Sequence, residues 1–368
     1  MNSFNFPIEG GMCCDDVSVE DTANLNFVCS DCTQVYSSLA DFDNVTVEES
    51  LSVKGRLKQA LPYWKTFCSD QFILETLEFG YKLPLLHVPP PTGRFYNNKS
   101  ALDNSDFVTQ AIEQLLTSGC VKPVSEKPHM VNPLSVSIQS SGKRRLILDL
   151  RQVNLYIVKF KFKMEDLRNF KETFNQGDLL FKFDLKSGYH HDIFEDHQTY
   201  LGFSWKFNNI TRFFVFTVLP FGLSSAPYIF TKLLIPLKKK WRSQGITNYI
   251  FIDDGIVKDQ NDAVRVIRKD LSLSGFLVNE AKSVWASSQV IEWLGSIINS
   301  NTGIFLPTQR RIDKLLLDLS LFVPDSNPSF HVKKVANIVG QIISMSFFFG
   351  DIDCASYDQK SLQVHCPI

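Results

Sequence analysis

The sequence predicts a mixed fold of helices and antiparallel strands gathered round paired carboxylates, and three observations predict it. Tyr249-Ile-Phe-Ile-Asp-Asp-Gly-Ile-Val257 sets two apolar β-favouring runs on either side of Asp253, Asp254 and Gly255. This is a hairpin signature in which the glycine is expected to supply the positive φ of the turn. Leu179-Leu-Phe-Lys-Phe-Asp-Leu185 is a second apolar strand, ending on another carboxylate, Asp184. Apolar residues at helical spacing recur on both sides of these strands. Side-by-side carboxylates repel, so the pair is either an exposed, fully hydrated turn or a cation site. Asp184 favours the second reading, because carboxylates at the ends of two core strands can converge. Three of them make a hard-oxygen site suited to two Mg²⁺ ions about 3.5–4 Å apart.

From the N-terminus, residues 1–50 carry ten acidic side chains and no Lys or Arg. The whole chain has 38 basic and 39 acidic residues, so residues 51–368 hold 38 against 29, a net of +9. An acidic leader on a basic body is the asymmetry expected of a protein that handles a polyanion. The leader reads as disordered and has no basic region followed by an apolar stretch, and no apolar run reaches the length of a membrane span. An intracellular chain without membrane partners is expected, its eight cysteines kept as thiols. Cys29 and Cys32 with Cys13 and Cys14 are a weak zinc candidate, since adjacent Cys13-Cys14 lacks the usual ligand spacing.

Residues 51–100 read as a helical leader and Pro-rich connector. Leu57, Leu61, Trp64 and Phe67 form one helical face, and Pro84 with Pro89-Pro-Pro91 breaks the pattern. Asp106 to Leu116 is a second helix, stopped at Gly119. Gly142-Lys-Arg-Arg145 opens the strand Leu146 to Leu150, and residues 142–172 hold nine basic and four acidic side chains. Leu219-Pro-Phe-Gly-Leu223 is a turn before a helix from about Ser225 to Trp241, kinked at Pro236. Its far end carries Lys238-Lys-Lys240, suited to the helix dipole and to a phosphate backbone. Asp262 to Ser274 is amphipathic through Ala263, Val266, Ile267 and Leu271. Residues 308–322 and 331–348 are two further amphipathic helices.

Several stretches in a fixed order resemble the reverse transcriptases of retrotransposons over about residues 51–350. They are Asn97-Asn-Lys-Ser, Val131-Asn-Pro-Leu-Ser-Val136, Gly142 to Asn154, Tyr200-Leu-Gly-Phe203, Leu219 to Leu223, the Asp253-Asp254 hairpin and Gly340 to Ser346. The likeness is greatest to the DIRS-like elements, which pair this enzyme with a tyrosine recombinase. The resemblance implies an α+β fold, a right-hand polymerase of fingers, palm and thumb with a split βαβ antiparallel palm. Fingers and palm are expected over 101–300, thumb-like helices over 301–350, and a divergent tail over 351–368 with no room for RNase H, protease or recombinase.

The same resemblance implies the activity, RNA-directed DNA synthesis, with an RNA template, a DNA primer and dNTP substrates, and two Mg²⁺ ions, or Mn²⁺, as cofactors. Asp184 and Asp253 would hold the metals with the carbonyl of Leu185, Asp254 contributing less. Lys282 would approach the leaving pyrophosphate as a general acid. Arg145, and Lys143 beside it, would grip the triphosphate, guanidinium forks being suited to phosphate. Tyr189 would lie under the incoming sugar and exclude a 2′-hydroxyl. Phe221 and Gly222 would lie where the new base pair slides. Trp293-Leu-Gly295 and Asn301-Thr-Gly303 look like the hairpin that holds the primer terminus. The competing reading is a truncated or co-opted remnant that binds nucleic acid without catalysis.

Overall fold

A computed structural model describes residues 54–86, 89–139, 142–186, 192–320 and 332–349. All of these belong to the larger of two units, Asn44–Ile368. The acidic leader with its zinc candidate, the tail 351–368 and Tyr189 lie outside the described residues.

Fifteen strands are described: β1 (Gly93–Arg94), β2 (Val121–Val124), β3 (Met130–Asn132), β4 (Leu134–Ile138), β5 (Arg144–Leu148), β6 (Leu180–Lys186), β7 (Gly202–Phe207), β8 (Ile210–Phe216), β9 (Asn248–Phe251), β10 (Asp254–Lys258), β11 (Leu277–Val278), β12 (Val284–Ser288), β13 (Val290–Trp293), β14 (Ser296–Asn299) and β15 (Ile304–Pro307). They form four sheets. A mixed sheet has the order β1-β3-β7-β8-β2, with β1, β3 and β7 parallel and the rest antiparallel. β4 and β5 pair as a separate antiparallel ribbon, and β13-β14-β15 form a meander.

The fourth sheet carries the acids. Its order is β11-β6-β10-β9, all antiparallel, and β12 shares with β11 the far side of β6. β6 and β9 are therefore parallel to each other with β10 inserted between them, and the helix Ala226–Ser243 lies between β6 and β9 in sequence. This is the split βαβ connection.

Period-two alternation decides how β6 is packed. Phe181, Phe183 and Leu185 are buried on one face. There Phe183 stacks on Trp285 at 6.1 Å between ring centroids and meets Trp241 edge-on at 6.2 Å. Trp241 belongs to the helix Ala226–Ser243, whose Ile229, Phe230, Leu233, Leu234 and Leu237 are also buried. The helix opens with Pro227 in its first turn and continues through Pro236. On the opposite face Leu180 and Ile256 join Phe170, Ile291, Trp293, Ile298 and Phe305 in one apolar cluster. Asp184 and Asp254 occupy this second face, two residues along their strands from Lys182 and Ile256.

Helices occur at Ser105–Thr117, Ala263–Leu273, Gln309–Ser320 and Val332–Met345, close to the sequence expectation. The last two leave Leu316, Leu319, Val339 and Ile342 exposed. The helical segment that begins at Arg56 packs against the helices Ala226–Ser243 and Ala263–Leu273. Trp64 is fully buried, and its indole N–H donates to the Ser274 carbonyl at 2.9 Å. Asp270, buried in the helix Ala263–Leu273, accepts from Tyr63 Oη at 2.6 Å, Lys240 Nζ at 2.7 Å and Trp241 Nε1 at 2.8 Å. The run Lys238-Lys-Lys240 is thereby corrected. Lys238 is paired with half-buried Glu165 and Lys240 with buried Asp270, so two of its three charges neutralise carboxylates of the fold rather than face a phosphate backbone.

Candidate active site

The hairpin that carries the acids differs from its sequence reading in one respect. Phe251 pairs with Asp254, so the two-residue turn is Ile252-Asp253, and the positive φ, 56°, falls on Ile252. Positive φ at the first central residue alone marks a type II′ turn. Gly255 has no positive φ and lies within β10, opposite Phe183. A Cβ there would stand 2.2 Å from Phe183 Cζ, so glycine is required by the close approach of a ring and not by the turn. A β-branched residue in the left-handed region is strained, a condition that persists only where the surroundings fix it. Ile252 is 2 % exposed, and its burial holds it there.

The register brings the acids together. Asp184 is the cross-strand partner of Asp254, and the Leu185 N–H donates to the Asp253 carbonyl at 2.8 Å. Because bonded and non-bonded pairs alternate along an antiparallel ladder, Asp184 and Asp254 form a non-hydrogen-bonded pair, the kind whose side chains stand closest. Desolvation of the Asp253 carboxyl, then the Asp184 and Asp254 carboxylates beside it, push its pKa up to about 7, and the Lys282 ammonium pulls weakly the other way. Leu185, Asp253, Asp254 and Lys282 thus share one neighbourhood with Asp184.

Lys282 reaches it through a turn clamped onto β6. The Asn279 N–H donates to the Asp184 carbonyl at 2.8 Å, and the Asp184 N–H donates to Ser283 Oγ at 3.0 Å. Ser283 Oγ in turn donates to the Asn279 carbonyl at 2.8 Å. The Trp293 indole N–H donates to the Asp254 carbonyl at 3.4 Å, linking the β13–β15 meander to the same point. None of these clamps was foreseen. Asn279 and Ser283 flank Lys282 within a stretch read only for its lysine.

The other candidate residues lie on the β4–β5 ribbon and on the turn that packs against it. Arg145 lies in β5, opposite Ser137, and Lys143 in the turn that joins β4 to β5, where its carbonyl accepts from the Gln139 N–H at 3.0 Å. The Phe221-Gly222 turn rests on the opposite end of β5. Gly222 has φ 99°, and a Cβ on it would lie 2.8 Å from the Leu148 carbonyl. Asn154 spans the turn, donating to the Gly222 carbonyl at 2.7 Å and accepting from the Ser224 N–H at 2.9 Å.

The expected metal chemistry is tested by this donor set. Among the described residues no group of three His, Cys, Asp or Glu side chains is arranged to hold a metal ion. Asp253 sits in the turn and Asp254 in the strand, and successive residues project in different directions. Magnesium needs no such group, since it is ordinarily held by one or two carboxylates with water and substrate phosphates. Oxygen-only donors, one of them with its pKa raised to about 7 by burial and then by its carboxylate neighbours, fit a hard dication. No described helix is long and apolar enough to cross a membrane.

An antiparallel split βαβ sheet bearing carboxylates at its β6 and β10 ends is the architecture of a right-hand polymerase palm, and known proteins agree. The foamy viral protease–reverse transcriptase in complex with double-stranded DNA is 20% identical with a TM-score of 0.56, covering 85% of this chain and 62% of that one. The same kind of protein in complex with an RNA/DNA hybrid is 21% identical with a TM-score of 0.54, covering 70% and 33%. These likenesses establish a polymerase fold. Residues 129–298 match the family model described as reverse transcriptase (RNA-dependent DNA polymerase). The Pol polyprotein of the Drosophila melanogaster transposon gypsy is 26% identical over 207 residues, 54% of this chain and 19% of the polyprotein. That of the transposon opus is 24% identical over 202 residues, and the genome polyprotein of petunia vein clearing virus is 27% identical over 222. Over residues 129–298 the chain is similar to reverse transcriptases, and more widely to Pol polyproteins of transposons, and it spans a fifth or less of the length of these three polyproteins.

Proposed function

We propose that the chain is an RNA-directed DNA polymerase of a retrotransposon, which joins a dNTP to a primer 3′-hydroxyl and releases pyrophosphate. The observation that carries this reading is the register that sets Asp184 opposite Asp254, with Asp253 in the adjoining turn. Asp184, Asp253 and the Leu185 carbonyl would hold two Mg²⁺ ions, Asp254 contributing less. The metal supplies polarisation of the phosphoryl group and activation of the attacking hydroxyl. Lys282 sits close enough to Asp253 to lower its pKa, and is placed to donate a proton to the leaving pyrophosphate. Arg145 and Lys143 grip the triphosphate, and Phe221 and Gly222 form the surface against the nascent pair. Tyr189 excludes the 2′-hydroxyl. Template and primer are the nucleic-acid partners, a reading supported by the relatives solved with an RNA/DNA hybrid and with double-stranded DNA.

Fingers and palm over 101–300 and a thumb over 301–350 are the division this reading uses. The finer placement, near the DIRS-like elements, rests on the motif resemblance. The test is extension of a DNA primer on an RNA template by the purified chain with Mg²⁺ and dNTPs. Template-directed extension is expected. A folded chain that binds the primer–template but adds nothing would favour the non-catalytic remnant.

A further inference from the structure

Among the described residues β9 is the outer strand of the acid-bearing sheet, and one row of its peptide groups has no strand there to pair with. The hairpin register identifies that row. Phe251 and Asp254 close the turn, so Tyr249 bonds inward to Ile256 while Asn248 and Ile250 direct their groups outward. Side chains from two distant segments meet both. The Ile250 N–H donates to Glu165 Oε2 at 3.2 Å, and the Asn248 carbonyl accepts from Arg242 Nη2 at 2.7 Å. Arg242 Nη2 also pairs with Glu165 Oε1 at 2.6 Å, and Lys238 Nζ with Glu165 Oε2 at 2.8 Å. Desolvation raises the Glu165 pKa, but Lys238 and then Arg242 outweigh it and hold the group below its ordinary value. An ionised triad therefore stands where a neighbouring strand would be.

We infer that Glu165 is a positioning residue for Asp253, holding β9 through Lys238 and Arg242 so that the strained Ile252-Asp253 turn is presented at one height and register. The inference rests on the polymerase reading given above. The strand is short, four residues, and leads without a linker into Ile252. A left-handed β-branched residue in such a turn needs both flanking strands fixed. β10 is fixed by its pairing with β6, and β9 has on its outer side only what Glu165 and Arg242 supply among the described residues. The Asp270 cluster is the internal contrast. It too is a carboxylate with a lysine partner, more deeply buried than Glu165, yet its bonds run to Tyr63, Lys240 and Trp241 and to no strand of the hairpin.

The test uses the full chain. Glu165→Gln alone leaves two partly buried cations without their counter-charge, which threatens folding, so it is paired with Glu165→Gln/Lys238→Met, which removes one of them. Arg242→Lys serves as the milder variant, able to meet Glu165 or the Asn248 carbonyl but not both. The double variant is expected to lower the maximal single-nucleotide incorporation rate at least tenfold while the dNTP half-saturation stays within twofold. It should also speed amide exchange across residues 248–254. Lys240→Met, chosen to lower Tm through the Asp270 cluster, should leave both readouts at the wild-type level. An unchanged rate and unchanged exchange in the folded double variant, or an equal rate loss in Lys240→Met, would overturn the inference. Should the wild type itself add no nucleotide, the polymerase reading fails, and exchange at 248–254 alone decides whether Glu165 holds the hairpin.

Discussion

Asp184 stands opposite Asp254 across β6 and β10, one residue from the point where the Leu185 N–H donates to the Asp253 carbonyl at 2.8 Å. Three acids are thus fixed on adjacent backbone by the strand ladder itself. Holding the Asp253 carboxylate there costs stability, first by desolvation and then by repulsion from Asp184 and Asp254, and removing its charge should relieve both. Asp253→Asn is therefore expected to stabilise the metal-free protein at pH 8. The Asp253 pKa is raised from 3.8 to about 7, so the gain is on the order of a few kcal/mol at most. Thermal unfolding checks it, and a Tm equal to or below wild type would mean that Asp253 bears no such strain.

The same shift fixes the pH dependence. A carboxyl with a raised folded pKa keeps its proton in the native state while the unfolded chain loses it, so stability falls as pH rises between about 4 and 7. Magnesium reverses the sense, because it binds the carboxylate and must displace that proton at low pH. The Tm gain from millimolar Mg²⁺ should thus be larger at pH 8 than at pH 5. Equal gains at both would detach the metal from Asp253.

Gly255 gives a packing prediction. Gly255→Ala places a Cβ 2.2 Å from the Phe183 ring, which is held in turn by Trp285 and Trp241. A loss of about 1–3 kcal/mol is expected, as for overpacked cores. Phe183→Leu in the same chain should recover part of it. Chemical denaturation of the two variants and the double provides the measurement, and simple additivity would contradict the contact.

These cases mark what the sequence could convey. The strands bearing Asp184 and Asp254 are legible because alternation and β-branched runs are local signals, and the helices 309–320 and 332–345 because apolar spacing of three and four is equally local. Gly255 was misread because Asp-Gly signals a turn, whereas its place depends on a ring sixty or more residues away on another strand. Lys238 and Lys240 looked like a surface charge run because nothing local shows that Glu165 and Asp270 lie beneath them. The Asn279 and Ser283 clamps, the Asn154 bridge and the Glu165 triad are all long-range pairings of ordinary polar residues, which carry no periodicity to read.

Tyr189 supports a substrate prediction that rests on the family resemblance. Tyr189→Ala should admit ribonucleotides, so that the ratio of kcat/KM for dNTP against rNTP collapses chiefly through better rNTP use. An equal loss with both substrates would make Tyr189 a packing residue.

The most direct measurement compares wild type and Asp253→Asn in single-nucleotide addition to a DNA primer on an RNA template, with primer–template affinity measured beside it. Loss of one charge from an ion clamp that contributes several kcal/mol should lower the rate by orders of magnitude while binding is retained. An Asp253→Asn chain that extends the primer at close to the wild-type rate would contradict the assignment of the β6–β10 carboxylates as the catalytic centre.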